Sequence, residues 1–307
     1  MERQAQMIDQ QRTNISFEFF PPKTPEGKNN LQAVALQLAE AHPAFFSVTF
    51  GAGGSTREGT IDTVKMLQEK TAISVTPHLA CIGSSREDII EILECYKSLG
   101  IKRLVALRGD LPSGMGQAGE FRYASELVTL IRETTQDHFQ IEVAAYPEFH
   151  PQAQNAAADM MHFKQKVHAG ANSAITQYFF NPDAYFYFRD LCAKHEIFIP
   201  ITPGIMPITH FSKLMRFSEM CGAEIPRWIR KRLESYGDDL ESIQAFGIEV
   251  VYDLCQRLLA GGAPGLHFYT LNHAEASLTL LKMLPLSTWD SASTSPQLVT
   301  EMPRVFS

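Results

Sequence analysis

Short β-branched and aromatic runs alternate with longer amphipathic stretches along most of this chain, and few architectures satisfy that pattern. Strands are predicted at residues 15–20 (ISFEFF), 45–50 (FFSVTF), 73–79 (ISVTPHL) and 103–108 (RLVALR). Four more are predicted at 140–146 (QIEVAAY), 172–179 (NSAITQYF), 197–204 (IFIPITPG) and 265–271 (GLHFYTL). Helical spacing separates them: Ile89, Leu93 and Tyr96 recur at i, i+4, i+7, and Leu127, Leu130 and Ile131 at i, i+3, i+4. Pro and Gly punctuate the strand ends, as at Pro21-Pro22, Gly109, Pro147 and Pro203-Gly204.

Eight βα units over residues 15–284 fit an α/β fold, a (β/α)8 TIM barrel, whose usual size is about 250 residues. Strict alternation also argues for parallel strands. A doubly wound sheet is the competing architecture, and it would carry G-x-G-x-x-G after its first strand. Here PPKTPEG follows instead, and no phosphate-binding P-loop motif occurs. Residues 205–264 leave room for extra helices between strands 7 and 8, predicted near 209–221, 225–235 and 240–260. The expected organisation is a flexible N-terminus (1–14), one barrel domain (15–284) and a flexible, Ser/Thr/Pro-rich tail (285–307).

Composition narrows the function classes. The formal charge is −7 and no dense Lys/Arg run occurs, which argues against nucleic acid and anionic membrane as partners. No apolar stretch approaches the roughly 18 residues of a membrane span, and the polar start MERQAQMIDQQR lacks the apolar core of a signal peptide. The five cysteines are scattered and never spaced C-x-x-C, which reads as reduced thiols in a cytoplasmic protein.

In a barrel, alternate strand residues point inward, where branched apolar side chains normally fill the space. This chain instead has polar residues at or near the C-terminal ends of six strands: Glu18, Thr49, His78, Arg108 (then Asp110), Tyr146 and Gln177. That is the face on which such barrels carry their active sites. Glu18 lies among Phe17, Phe19 and Phe20, so its carboxylate must be paired or protonated. Desolvation would raise its pKa toward that of a general acid; the plain structural reading is a salt bridge to a barrel arginine such as Arg108. His78 alone reads as a core histidine, and Arg108-Gly109-Asp110 as a charged turn. Gly51-Ala52-Gly53-Gly54 is either a tight turn or a backbone cradle for phosphate. No His, Asp and Glu set has the spacing of a metal site.

Taken together, these residues resemble the methylenetetrahydrofolate reductases, FAD-dependent barrels of one-carbon metabolism. The resemblance rests on FEFFPPKTPEG (17–27), SVTFGAGGSTR (47–57), PHLAC (77–81) and LRGDLP (107–112). It continues through VAAYPEFHP (143–151), AGANSAITQYFF (169–180), PITPGIMPI (200–208) and HFYTLN (267–272). It implies an enzyme that reduces 5,10-methylenetetrahydrofolate to 5-methyltetrahydrofolate, with NADH or NADPH reducing the flavin first. It implies Glu18 and Asp110 as catalytic residues, with Glu18 the general acid at N10 of the folate. For FAD it implies Phe50, Ala52, His78, Arg108, Gly109, Asp110, Ala124, Tyr146, His150, Ala153, Asp159, His162, Gln165 and Lys166, and Thr49 for the nicotinamide. For the folate it implies Asp110, Gln177, Lys213, Phe217 and His273. It further implies a homo-oligomer, dimer or tetramer.

The chain departs from the family pattern at four of these places. His162 and Gln165 stand where Asn and Arg are usual near the flavin diphosphate, Lys213 replaces a common Gln, and His273 an Arg. Losing the Arg predicts looser FAD binding, with Lys166 the main remaining cation. Competing readings are another FAD barrel of the proline dehydrogenase kind, a catalytically silent folate- or flavin-binding relative, and a metal-dependent aldolase or hydrolase.

Overall fold

The computed structural model describes residues 13–50, 55–109 and 119–286. Its strands are β1 (Asn14–Phe19), β2 (Phe45–Val48), β3 (Val75–Ala80), β4 (Arg103–Leu107), β5 (Gln140–Ala145) and β6 (Ser173–Thr176). Two short segments, β7 (Ile201–Thr202) and β8 (Gly204–Ile205), and then β9 (Gly265–Tyr269) complete the set. Every pairing is parallel, in the order β7-β6-β5-β4-β3-β2-β1-β9-β8.

The two ends of that order are consecutive in the chain, and this is how the barrel closes. β7 pairs with β6 and β8 with β9, so one strand position is shared by two segments with Pro203 between them. Proline has no amide to donate, so an uninterrupted ladder cannot pass through it. Its carbonyl still accepts from the His267 amide at 3.0 Å, and the Gly204 amide finds the Thr176 hydroxyl at 2.9 Å. The single strand predicted at 197–204 is therefore split, and residues 197–200 lie outside it. The other seven predicted strands are present, with ends shifted by a few residues.

Ten helices occur among the described residues: α1 (Pro25–Ala39), α2 (Ser55–Thr71), α3 (Arg86–Ser98), α4 (Ala124–Thr135) and α5 (Ala156–His168). They continue with α6 (Pro182–Lys194), α7 (Phe211–Cys221), α8 (Arg227–Tyr236), α9 (Leu240–Ala260) and α10 (Glu275–Met283). Local chemistry starts several of them. Thr24 accepts from the Gly27 amide ahead of Pro25, Ser85 and Asp88 form a reciprocal capping box, and Asn155 accepts from the Ala158 amide. Helices α7 to α9 fill the long insertion close to where the sequence predicts them. No described helix is long and apolar enough to cross a membrane.

The strand period of two sorts the side chains. Phe17, Phe19, Phe46, Leu79, Leu104, Val143 and Phe268 belong to the main hydrophobic core shared with the helices. The alternate set faces inward, and its apolar part is small: Phe45, Val105 and Ile175, with Leu107 beside them.

Gly204 sits at the seam with no room for a side chain. A Cβ there would lie 2.2 Å from the Thr176 carbonyl oxygen and 2.5 Å from the Tyr269 ring. Overpacking of this kind costs about 1–3 kcal/mol. Gly204→Ala is expected to lower the unfolding free energy from urea titration by about that much, and an unchanged midpoint would show that the seam yields.

Candidate active site

The inward set from β1, β2, β3 and β9 is polar, and strand register brings it together. Glu18 lies beside Ser47 on β2 and Tyr269 on β9; Ser47 lies beside Thr76, and Ser16 beside His267. Backbone contacts from the turn after β9 fix the end of β1. The Thr270 hydroxyl donates to the Glu18 carbonyl at 2.6 Å. The Asn272 amide group accepts from the Phe20 N–H and donates to the Phe20 carbonyl, both at 2.9 Å. Leu271 and Asn272 hold left-handed backbone angles, φ 50° and 59°, to make this turn. Such conformations cost energy outside glycine and gather at functional sites.

Glu18 is 7 % exposed, and two imidazoles converge on one of its oxygens. His78 Nε2 lies 3.3 Å and His267 Nε2 3.5 Å from Oε2. Neither approach meets the geometry of a hydrogen bond, and each becomes an ion pair only when its imidazole is protonated. His267 is fully buried, and its Nδ1 is 2.7 Å from the Ser16 hydroxyl. Burial pushes the Glu18 carboxyl up, but the two histidines outweigh it and hold it at about 2. The sequence suggested the opposite direction, because it showed the aromatic neighbours of Glu18 and not the imidazoles across the barrel. It also suggested Arg108 as a partner; Arg108 instead donates to the Gly109 carbonyl at 3.1 Å and to the Gln152 side chain.

Three cavities meet at this face. The first, about 430 Å³, has Glu18 and His78 in its wall and gathers Thr49, Phe50, Tyr146, His150, Gln177 and Phe217. The second, about 680 Å³, shares Tyr146 and His150 with it and adds Arg108, Gly109, Ala124, Ala153, Asp159, His162 and Lys166. The third, about 540 Å³, shares Phe217 with the first and holds Lys213 and His273. Helix α7 carries Phe217 to the walls of the first and third cavities, and it is fixed there by the Tyr178 and Ser218 hydroxyls, 3.0 Å apart. Lys166 is half-buried and donates to the Ala144 carbonyl; the desolvation of its amine lowers it to about 8 despite Asp159.

The structure thus brings together every predicted site residue that it describes, except one. Gln165 is exposed and borders none of these cavities, its side chain 3.3 Å from His162 Nδ1. Asp110 and Ala52, with the Gly51–Gly54 turn, lie outside the described residues. Sequence reasoning missed Ser16, His267 and Tyr269, and it missed Arg122, Tyr123 and Gln152 in the second cavity. His267 falls two residues before Tyr269 in HFYTLN (267–272), and the period of two could have placed both inward. Tyr123, stacked on His162 at 4.9 Å, has no comparable signal. Among the described residues no group of three His, Cys, Asp or Glu could hold a metal ion, and the five cysteines are free.

A parallel barrel whose C-terminal rim surrounds a buried carboxylate, paired imidazoles and a branched cleft is of the enzyme-bearing barrel class. The family described as Methylenetetrahydrofolate reductase matches residues 3–285. The 5,10-methylenetetrahydrofolate reductase of Escherichia coli (strain K12) is 41% identical over 275 residues, 90% of this chain and 92% of that protein. A rice protein named probable methylenetetrahydrofolate reductase (NADH) is 38% identical over an alignment of 288 residues that covers 90% of this chain and 48% of the rice protein. The chain belongs to the methylenetetrahydrofolate reductase family, a family of oxidoreductases. The fold has a further parallel in an uncharacterised Clostridium thermocellum protein that binds two copies of 5-methyltetrahydrofolic acid, with a TM-score of 0.64 and 16% identity. That alignment covers 91% of this chain and 97% of the other.

The depressed Glu18 pKa has a sign that can be checked. Its contribution to stability is fully present above the ordinary value of 4.5 and is lost as pH falls toward about 2. The unfolding free energy of the wild type should therefore rise more steeply with pH across that window than that of Glu18→Gln. Equal slopes would mean that the carboxylate is not held by the two histidines.

Proposed function

We propose that this chain reduces 5,10-methylenetetrahydrofolate to 5-methyltetrahydrofolate in the cytoplasm, with FAD as resident cofactor and NADH or NADPH as electron donor. The observation that carries the reading is Glu18: a buried carboxylate in the cavity wall, held on one oxygen by imidazoles, on a chain 41% identical to named reductases. The "(NADH)" in the rice relative's name favours NADH as donor.

The second cavity fits a flavin dinucleotide. The first turns of α4 and α5 both open on it, through Ala124 and Ser125 and through Ala158 and Asp159. Helix N-termini attract phosphate, and Arg108, Arg122 and Lys166 line the same space. Side chains and helix ends of the barrel rim would thus hold the diphosphate, which accounts for the missing G-x-G-x-x-G. When bound, FAD would carry two electrons from the nicotinamide to the folate. The first cavity would receive the nicotinamide and the folate in turn, with Thr49 and Gln177 as polar contacts and Phe217 as the stacking surface. Lys213 and His273 would face the folate tail from the third.

The residues then act on the folate. Its methylene bridge is a neutral aminal and a poor electrophile. Glu18 would protonate N10, opening the five-membered ring to an iminium cation whose carbon accepts hydride. Asp110 would hydrogen-bond the pterin and favour that cation electrostatically.

Two outcomes are expected. In an anaerobic spectrum the flavin band should bleach with NADH and return with methylenetetrahydrofolate, and a protein that shows neither with FAD supplied would be a silent relative. Glu18→Gln should slow the folate step by about 10²–10⁴-fold, the usual worth of a general acid, while flavin reduction by NADH persists. Equal loss of both steps would make Glu18 structural. Separately, Gln165→Arg should tighten FAD binding to the apoprotein by about tenfold or more, from one charge-assisted contact. Fluorescence titration with FAD reads this directly, and unchanged affinity would show that the exposed position lies beyond reach of the diphosphate.

A further inference from the structure

Glu18 must carry a proton at the moment the folate ring opens, yet its environment favours the carboxylate. A ligand stacked in the first cavity also shuts out bulk water. We propose that His267, held by Ser16, stores a proton inside the barrel and passes it to Glu18 during the folate step. The proposal rests on the reading of Glu18 as general acid and names the group that supplies it.

The geometry separates the two histidines. His78 lines the first cavity beside Glu18, where a ligand would cover it. His267 borders none of the cavities described above and is wholly buried against the same Glu18 oxygen. Its ring has little freedom. Ser16 fixes Nδ1 at 2.7 Å, Phe45 stacks at 6.0 Å and 26°, and Tyr269 meets it edge-on at 5.3 Å. A Ser16 hydroxyl that accepts from Nδ1–H serves both the charged and the neutral ring, leaving Nε2 to gain or lose the proton toward Oε2; the two atoms are 3.5 Å apart, and the contact tightens to an aligned hydrogen bond when the proton crosses.

Charge balance points the same way. Around His267 stand Ser16 and Glu18 from β1, Phe45 from β2, His78 from β3 across Glu18, and Tyr269 from β9. Behind Phe45, the Arg103 guanidinium lies 5.0 Å from its ring and pairs with Glu142, so those two charges cancel. Glu18 is left as the carboxylate needing a buried counter-charge, which one imidazolium provides. Packing gives no reason for this polar layer. The Ser47 and Thr76 hydroxyls beside Glu18 have no protein partner, where barrels ordinarily place branched apolar residues.

The step balances. The Nε2 proton of His267 moves to Glu18 Oε2, turning imidazolium and carboxylate into neutral imidazole and carboxylic acid. Glu18 then protonates N10 and is again a carboxylate. When the cavity reopens, Glu18 takes a proton from water and returns it to His267. His267 is thus a positioning and proton-supplying residue that never touches the folate.

The test is rapid mixing of reduced holoenzyme with methylenetetrahydrofolate across the histidine titration range, for wild type, His267→Gln and Ser16→Ala. His267→Gln should slow flavin reoxidation by about tenfold or more and abolish the histidine limb of its pH profile. Reduction of the flavin by NADH should change less than about twofold. Ser16→Ala, the milder change, should retain the limb but shift it. In the holoprotein, the ¹⁵N signal that His267→Gln removes should report an imidazolium, and a neutral ring in Glu18→Gln. A wild-type pH profile in His267→Gln, or equal slowing of both steps, would overturn the proton store. Persistence of the folate step in Glu18→Gln would instead overturn the reading of Glu18 on which it rests.

Discussion

A ring of parallel strands must close, because any open edge leaves a row of unpaired amides and carbonyls. In this chain closure falls on the weakest possible place, a strand position interrupted by Pro203. Two residues bond to one side and two to the other, so both neighbouring strands need help from side chains. Thr176 supplies it twice, its hydroxyl taking the Gly204 amide and its carbonyl taking the Tyr269 phenol at 2.7 Å. The same phenol ring is what leaves Gly204 no space for a side chain. Tyr269 therefore ties the seam to the reaction centre, because its ring also packs on His267. Burial and the nearby Glu18 charge raise its own ionisation well above the ordinary value, keeping the phenol a donor.

The barrel interior divides by height and by sector. Toward one side, Phe45, Val105 and Ile175 pack as expected of this fold. Toward the other, Ser16, Glu18, Ser47, Thr76, His78 and His267 replace what would be another apolar layer. Buried polar groups without partners are costly, by about 1–3 kcal/mol each, and a folded chain tolerates them where chemistry requires it. The main core outside the ring bears the stability, since Phe17, Phe19, Phe46 and Phe268 are all fully covered there by the helices. One strand thus serves both purposes: odd positions of β1 anchor the helix layer and even positions build the site.

How much of this the sequence discloses depends on whether a feature is local. Strand and helix alternation is local, so seven strands and the three insertion helices could be placed from it. The split at Pro203 was half legible, since the proline is visible but its position within a closing ring is not. Glu18 stood out because three phenylalanines surround it in the chain. The direction of its pKa did not, because His78 and His267 lie 60 and 249 residues away in sequence and meet it only through register. The exposed position of Gln165 was also hidden: spacing along α5 does not tell which face a cavity will adopt.

In the proposed cycle a single cavity admits the nicotinamide and then the folate, so each group in its wall must suit both ligands. A donor of protons on that side would sit beside a nicotinamide that needs none. Placing the store on a ring that borders none of these cavities removes the conflict, since the proton stays shared between His267 and Glu18 until the folate presents a base for it. Whether a proton crosses depends on what the ligand does to Glu18. Covering the carboxylate removes its remaining water and raises the cost of its charge. The imidazole of His267, fully buried already, undergoes no comparable change in hydration. Ligand binding itself thus tips the proton from His267 to Glu18, and the aminal nitrogen of the folate is the base that uses it.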